Sequence, residues 1–152
     1  MKHIWYERNN FIKDFIPAGS SIVDFGCGQR EILDFITPSD YIGIDQNKYA
    51  DIHHNLNKPL VLDKEYDIGL WLGVLEYLRN PGKSLYNQKD CAKTFIVLTL
   101  NVTKKQEWVN AYTKDSINEL LCSVWLNVQH FSYERYTLSV CNELFDLPPK
   151  GE

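Results

Sequence analysis

The chain has 152 residues, of which 44% are hydrophobic and 13% aromatic, and it carries a formal net charge of −4 at pH 7. This length and composition suffice for one buried core, so we expect a single domain over residues 1–152. The negative charge argues against broad electrostatic binding to nucleic acid. Because no apolar run approaches the ~20 residues of a membrane span and no apolar signal segment opens the chain, we expect a cytoplasmic protein.

The cysteines and histidines do not form a metal-binding pattern. Two of the four histidines are adjacent, at residues 53–54, rather than one helical turn apart, and we predict no metal site. The cysteines are widely separated without a Cys-x-x-Cys pair, which is typical of reduced and mostly buried thiols. They are Cys27, Cys91, Cys122 and Cys141.

The first elements in chain order are a helix and a β-α-β unit. Apolar residues recur at helical spacing from Ile4 to Ile16, and Pro-Ala-Gly at 17–19 ends the pattern, which predicts an opening helix. The unit that follows comprises a short apolar strand at 21–25, about two helical turns at 30–36 and a second strand at 41–45.

Two near-continuous apolar runs, at residues 66–72 and 94–100, follow in the middle of the chain. Such runs are typical of parallel strands with helices on both faces, and the residues between them leave room for a crossover helix. The link between Asp45 and Asp51 is the exception, since a parallel crossover normally takes a dozen or more residues. Either the third strand is short and irregular, or its crossover helix has been lost.

The last third of the chain predicts a helix and a hairpin. A Ser-x-x-Glu capping pattern joins Ser116 and Glu119, and apolar residues follow at helical spacing. Two strand-like runs at 125–131 and 137–145, separated by residues 132–136, predict a terminal antiparallel hairpin.

The first strand ends in a pair of glycines, Gly26 and Gly28, and Asp45 ends the second strand 17 residues later. This arrangement indicates a nucleotide half-site, in which the glycines let a ligand approach the backbone and the carboxylate accepts hydrogen bonds from a ribose diol. The third glycine of the dinucleotide fingerprint is replaced by Glu31. Together with Asp24 at the strand end, Glu31 disfavours a pyrophosphate and suits a ligand with positive charge, such as S-adenosylmethionine.

Five segments, in this order and spacing, resemble the class I S-adenosylmethionine-dependent methyltransferases. The resemblance spans nearly the whole chain. It covers the first motif Val-Asp-Phe-Gly-Cys-Gly at 23–28, the acidic second strand at 43–45, the third-strand segment at 50–60, the fourth strand and its turn at 66–78, and the segment after the fifth strand at 108–121.

The resemblance implies an α/β fold: a Rossmann-like, doubly wound, mostly parallel seven-stranded sheet with a C-terminal antiparallel hairpin. The chain would be a minimal core without a cap domain. Its parts would be an opening helix at 1–18, a cofactor-binding half at 19–100, and a C-terminal helix and hairpin at 101–147. The cofactor would be S-adenosylmethionine, with S-adenosylhomocysteine as the product.

The resemblance also assigns cofactor-binding residues. The turn at residues 26–28, which we call the Gly turn, would hold the methionine portion of the cofactor. Asp45 would hold the ribose, and Asn55 with Leu56 would hold the adenine. Asn55 is equally well explained as a turn residue, and Asp24 as a capping residue. The full set is Asp24, Gly26, Cys27, Gly28, Asp45, Gln46, Asn55, Leu56, Leu72 and Gly73.

Catalytic candidates are fewer. Glu76, Tyr77 and His54 would lie near the methyl group as proton acceptors or substrate contacts, although residues after a strand more often cap the next helix, and a surface position is the alternative for His54. Three aromatic residues either line an acceptor site or fill the core; they are Trp108, Tyr112 and Trp125.

Three positions and one segment depart from the family pattern. Arg30 replaces a common glycine and either narrows the methionine pocket or points outward. Asn55 replaces an aspartate, Tyr77 a histidine, and residues 90–93 a Gly-rich turn.

The predicted function is transfer of a methyl group to O or N of an unidentified small-molecule, glycan or carrier-bound acceptor. The alternative is a methyltransferase-like binding or scaffold protein without turnover, and a nicotinamide-dependent oxidoreductase ranks third. Short connections predict an open cleft, which suits a large acceptor, a partner protein or self-association that covers it.

Overall fold

The computed structural model describes residues 2–101 and 109–143, and it contains one seven-stranded sheet flanked by helices. The strands are β1 Ser21–Phe25, β2 Asp40–Asp45, β3 Ile52–His53, β4 Tyr66–Leu72, β5 Ala92–Leu100, β6 Asn127–Tyr133 and β7 Tyr136–Asn142. The α-helices are α1 Lys2–Ile12, α2 Pro81–Gln88 and α3 Lys114–Cys122, and 3-10 helices lie at Lys13–Phe15, Glu31–Asp34 and Leu75–Tyr77.

The strand order is β3-β2-β1-β4-β5-β7-β6, with the first five strands parallel and β7 antiparallel to both of its neighbours. The predicted doubly wound sheet with a closing hairpin is therefore confirmed. The chain runs outward from β1 to β3 and then returns to β4 on the other side of β1. In open α/β sheets this reversal leaves a crevice at the carboxyl ends of the strands.

The sheet buries both faces, which explains why its central strands are so apolar. Along β1, Ile22 belongs to the core under α1, whereas Val23 and Phe25 belong to the core under α2 and α3. Helix α1 contributes Ile12 to the first core, and α3 contributes Ile117 to the second. The alternation follows from the two-residue period of a strand.

The short link after β2 is possible because β3 pairs with only the last two residues of β2, Ile44 with Ile52 and Asp45 with His53. β3 therefore begins beside Ile44, one residue before the end of β2, so the chain has only a short distance to return and needs no crossover helix. Asp51 fixes this return: its amide donates to the Gly43 carbonyl at 2.8 Å, and its carboxylate accepts from the Gly43 amide at 2.8 Å.

Two predicted element boundaries were wrong. The two helical turns expected at 30–36 reduce to the 3-10 helix at Glu31–Asp34, which begins after Arg30 in the left-handed region (φ 65°). The five-residue hairpin loop expected at 132–136 is a two-residue turn, because Tyr133 pairs with Tyr136. Glu134 takes a φ of 52° there. Residues 144 and 145 of the predicted second run lie outside the described residues.

The predicted cap of α3 was one turn too late. Thr113, not Ser116, is the N-cap: its hydroxyl accepts from the Ser116 amide at 3.1 Å, and the Ser116 hydroxyl accepts from the Thr113 amide at 2.9 Å. The helix starts earlier because this Thr-Ser pair completes the capping box without Glu119. None of the helices within 2–101 and 109–143 is long and apolar enough to cross a membrane.

The position of this cap predicts how two substitutions change the free energy of unfolding. We expect Thr113→Ala to lower the free energy of unfolding by about 1 kcal/mol, because the Ser116 amide loses its acceptor. Glu119→Ala, at the exposed position that the sequence pattern favoured, is the matched control and should change stability by less than about 0.5 kcal/mol. Urea denaturation of both variants measures the difference, and equal losses would place the cap elsewhere.

Candidate functional site

A cavity of about 530 Å³ opens at the carboxyl ends of β1, β2 and β4, and we call it the strand-end cleft. All ten residues predicted to bind the cofactor line it, although their binding remains a prediction. Of the three catalytic candidates, His54 and Tyr77 line it and Glu76 does not. The remaining lining residues are Arg8, Gln29, Glu31, Ile32, Asn57, Val74 and Leu78.

The Gly turn is fixed to the neighbouring strand β2. The amides of Gly26 and Cys27 both donate to the Ile44 carbonyl, at 2.7 and 3.1 Å. Gly26 has a φ of 78°, and a Cβ there would lie 2.4 Å from Val74 Cγ2. Glycine is therefore required at 26 by both backbone conformation and space.

Asp45 closes the turn from the end of β2. One carboxylate oxygen accepts from the Gly28 amide at 3.0 Å, and the other accepts from the Gln46 amide at 2.7 Å. Asn47 adds a bond from its side-chain amide to the Gly28 carbonyl at 2.9 Å. Each carboxylate oxygen retains acceptor capacity, so Asp45 can brace the turn and still accept from a diol.

Asp24 lies under the turn with 3% of its surface exposed, and Tyr41 donates its hydroxyl to the Asp24 carboxylate at 2.6 Å. Burial raises the pKa of Asp24 to about 6, against the lowering effects of Tyr41, Arg8 and Arg30, while Asp45 adds to the rise. The side chain is thus an acceptor for the Tyr41 hydroxyl rather than a helix cap.

This raised pKa predicts a pH dependence of stability. The folded carboxyl of Asp24 keeps its proton up to a higher pH than the unfolded one, so ionisation costs stability as pH rises from about 4 to about 6. The cost is on the order of 3 kcal/mol at most. Asp24→Asn removes the titration and keeps an acceptor for Tyr41. We expect its stability relative to wild type to rise between pH 4 and pH 6 and then stay level in denaturation experiments; parallel profiles would contradict this.

Arg8 was not among the predicted site residues, yet it reaches the strand-end cleft from α1 with 6% of its surface exposed. Burial lowers the pKa of Arg8 to about 10, so the guanidinium stays charged at neutral pH; Tyr136, Asp24, Glu31 and Glu76 favour that charge. The sequence contains one indication that this arginine is buried. Arg8 lies four residues from both Ile4 and Ile12 on an otherwise apolar helix stripe.

At the β3 side of the cleft, Asn55 forms a turn. Its side-chain oxygen accepts from both the amide and the side chain of Asn57, each at 3.0 Å. His54 is also engaged, because its Nε2 lies 2.9 Å from the Lys58 carbonyl, and a carbonyl can only accept. The turn interpretation of Asn55 is thus confirmed, and His54 Nε2 is the donor to the Lys58 carbonyl, which leaves Nδ1 as the acceptor of that ring.

The prediction that Glu76 lies near the methyl group was wrong. Its side chain is turned away from the cleft, and only 1% of its surface is exposed. Its carboxylate accepts from the Leu100 amide at 3.0 Å, and its carbonyl accepts from the amides of Val109 and Asn110 at 2.8 and 3.0 Å. Burial raises the pKa of Glu76. The residue joins the turn after β4 to the chain at the end of β5. It does not cap α2 either, since Asn80 does that.

The other candidates divide between rim, exterior and core. Tyr77 lies on the rim of the cleft and is 50% exposed. Arg30 points outward, where it pairs with Asp51 at 3.3 Å, and does not narrow the cleft. Tyr112 and Trp125 fill the core, whereas Trp108 lies outside the described residues. Within the described ranges, no three His, Cys, Asp or Glu side chains are grouped to hold a metal ion.

No protein-family model and no curated protein sequence matches the chain. Solved structures do. The small RNA methyltransferase HEN1 superposes with a TM-score of 0.68 and 18% identity, over 95% of this chain and 26% of that one. The chain thus spans about a quarter of that enzyme.

Two methyltransferases of similar size match over most of both chains. An S-adenosylmethionine-dependent methyltransferase of Thermotoga maritima has a TM-score of 0.70 and 10% identity, over 91% of this chain and 89% of that one. A putative methyltransferase of Haloferax volcanii, solved with a methyltransferase activator, has a TM-score of 0.70 and 12% identity, over 96% and 97%. The chain therefore has the fold of the class I S-adenosylmethionine-dependent methyltransferases, as its motifs predicted.

Proposed function

We propose that the chain binds S-adenosylmethionine in the strand-end cleft and transfers its methyl group to O or N of an acceptor presented at the cleft mouth. The observation that carries this proposal is the convergence of ten residues from β1, β2, β4 and their connections on one cleft. Among them are the glycines after β1, Asp45 at the end of β2 and Asn55 after β3, to which we assign the amino acid, the ribose and the base. Ligands of open α/β sheets occupy this edge.

The cofactor would lie with its methionine portion on the Gly turn and its ribose hydroxyls on Asp45. Leu56 would pack against the adenine. Because both lone pairs of the Asn55 side-chain oxygen accept from Asn57, its amino group is the part able to bind the base, as a donor to a ring nitrogen. An aspartate at this position would lack that donor.

Methyl transfer needs the acceptor atom to be in line with the methyl carbon and the sulfonium. The acceptor lone pair forms the new bond to carbon while the carbon–sulfur bond breaks, and its electron pair converts the sulfonium into the thioether of S-adenosylhomocysteine. The acceptor's proton leaves to solvent or to a base. Positioning supplies much of the rate acceleration in such a step, so the cleft can act without Glu76 or His54 as a base. Tyr77 on the rim is the remaining candidate for contact with the acceptor.

The acceptor would be a large or carrier-bound molecule that presents one group at the rim. Tyr77, on the rim of the cleft, is 50% exposed, so the described part of the chain leaves this side of the rim open. A partner protein or a second copy of the chain would serve as a cover. The Haloferax volcanii relative solved with an activator supports the first of these.

Incubation with a labelled methyl donor tests transfer. We expect cell extract supplied with the labelled donor and the wild-type chain to give a labelled product, and Asp45→Ala to give much less. An extract in which the wild-type chain labels nothing, while binding the donor, would contradict the transfer step.

The second candidate is a methyltransferase-like scaffold that binds the cofactor without turnover. Two observations favour it: Glu76 is turned into the protein, and His54 is held by the Lys58 carbonyl. The scaffold and the enzyme both predict cofactor binding, and only the enzyme predicts a labelled product.

A further inference from the structure

The two edges of the sheet differ in length. At one edge, β3 pairs over only two residues. At the other edge, β6 is a strand of seven residues that pairs with β7 in continuous register, without a bulge. Among the described residues, no strand lies on the outer side of β6. Gln129, His130 and Ser132 are exposed there, so β6 forms a long open edge.

The pairing with β7 determines which backbone groups of β6 point outward. Tyr133 and Tyr136 flank the two-residue turn and form the hydrogen-bonded pair that closes it. Since hydrogen-bonded pairs alternate along an antiparallel ladder, the amides and carbonyls of Val128, His130 and Ser132 face away from β7. In the described part of the chain, no backbone group bonds to them from the outer side. Donors and acceptors therefore alternate along this edge.

The sequence of β6 does not protect the edge. Soluble proteins usually protect an open edge with charged side chains, proline, a bulge or a very short strand. The strand at 127–133 reads Asn-Val-Gln-His-Phe-Ser-Tyr, without a charged residue or proline. The His130 ring nitrogens lie 2.7 Å from Ser139 Oγ and from Asn118 Oδ1. Partial burial lowers the pKa of His130, so the strand is uncharged at neutral pH.

Aromatic side chains lie beside this edge on the α1 face of the sheet. Phe131 packs on Phe15 with ring centroids 4.9 Å apart, and Tyr133 stacks on Phe11 at 4.7 Å. All four residues are only partly buried. A single extended peptide would pair with the backbone of β6 but cover little of this cluster. A second copy of the chain would bring the same cluster to the other side of the edge.

We infer that two copies of the chain pair through β6, antiparallel about a twofold axis at His130, so that their two sheets become continuous. In this register Val128 lies opposite Ser132 of the second copy. Because 128 and 132 are symmetric about 130, each outward-facing residue meets an outward-facing residue, and the strands overlap along their whole length. Such an interface is self-complementary and closes after two copies.

The charge pattern favours this partner. Each residue of β6 would face an uncharged residue of the second copy, so no like charges oppose one another across the axis. The inference goes beyond the proposed function and does not depend on it. Strands β5 and β7 lie between β6 and β4, so the dimer leaves the strand-end cleft open.

Analytical ultracentrifugation from about 1 to about 100 µM measures the association, because a small interface gives micromolar affinity. The first variant is Ser132→Pro, which removes an outward-facing amide and no bond to β7. Ser132→Ala keeps that amide and is the matched control. We expect a monomer–dimer equilibrium for wild type and Ser132→Ala. Ser132→Pro should associate at least about tenfold more weakly, since symmetry removes a hydrogen bond at both ends of the interface.

Gln129 tests the register without a change in the backbone. It is exposed, and in the proposed dimer it lies diagonal to Gln129 of the second copy, within reach of a long side chain. Gln129→Lys and Gln129→Glu should each associate more weakly than wild type, because like charges meet. An equimolar mixture of the two should associate more strongly than either alone. Thermal unfolding identifies a variant that does not fold; if Ser132→Pro is one, the Gln129 variants decide the outcome.

A wild type that stays monomeric at the highest concentration would overturn the inference and leave the edge to a strand of another protein. Equal association of wild type and a folded Ser132→Pro would overturn it too, by placing the dimer interface elsewhere. A mixture of the charge variants that associates no better than either variant would contradict the twofold register. None of these measurements involves the cofactor, so failure of the proposed function would leave this inference standing.

Discussion

Asp45→Ala is expected to weaken binding of S-adenosylhomocysteine by about 1 to 3 kcal/mol, because the ribose loses a charge-assisted acceptor. The structure adds a second cause. The Gly28 amide loses its bond to the Asp45 carboxylate, so the turn that receives the methionine portion is held less firmly. Titration calorimetry measures the loss of affinity, and urea denaturation shows how much of it comes with lost stability.

Two variants sharpen this result. Asp45→Asn can keep the bond from Gly28 but removes the charge, so it should lie between wild type and alanine. Asp40→Ala removes an exposed carboxylate at the opposite end of the same strand, where it pairs with Lys64, and should leave affinity unchanged. Unchanged affinity in Asp45→Ala would move the ribose to another part of the molecule.

Gly26→Ala is expected to destabilise the fold more than any other single change proposed for the cleft. The added Cβ meets Val74 Cγ2 at 2.4 Å, and the φ of 78° is itself unfavourable for alanine. Gly19→Ala is the matched control, since Gly19 has a φ of 80° and open space around its Cβ position. We expect Gly19→Ala to cost about 1 to 2 kcal/mol and Gly26→Ala about 1 to 3 kcal/mol more.

The steric part of this loss can be tested separately. In a double-mutant cycle, Val74→Ala removes the γ carbon that the new Cβ would strike, so the two changes together should cost less than their sum. Additive losses would show that backbone conformation alone makes glycine necessary at 26. Denaturation curves for the three variants and wild type supply the comparison.

The strands that could be predicted are those whose identity is fixed by local pattern. β1 and β4 are apolar runs buried on both faces, and the Gly turn with Asp45 needs particular residues at particular backbone positions. These features follow from the sequence because burial on both faces and a positive φ each leave a direct mark on residue choice.

Other features depend on distant parts of the chain. The two residues of β3 are a strand only because β2 lies beside them. The turn at Glu134 has a positive φ without the glycine or asparagine that normally marks one. Its position is set by the pairing of Tyr133 with Tyr136.

Side-chain direction was the least predictable property of the site. Glu76 and Tyr77 are adjacent in sequence, yet one is buried under β5 and the other is on the rim. The 3-10 helix at Leu75–Tyr77 decides this, and its geometry is not evident from a Val-Leu-Glu-Tyr string. Arg8 was missed because its position in the cleft arises from how α1 packs on the sheet.

Titration of the wild-type chain with S-adenosylhomocysteine tests the central claim most directly. We expect saturable heat with one site per chain, a rise in the unfolding temperature, and no comparable binding of NAD. Neither heat nor a thermal shift at millimolar S-adenosylhomocysteine would contradict it, as would micromolar binding of NAD in its place.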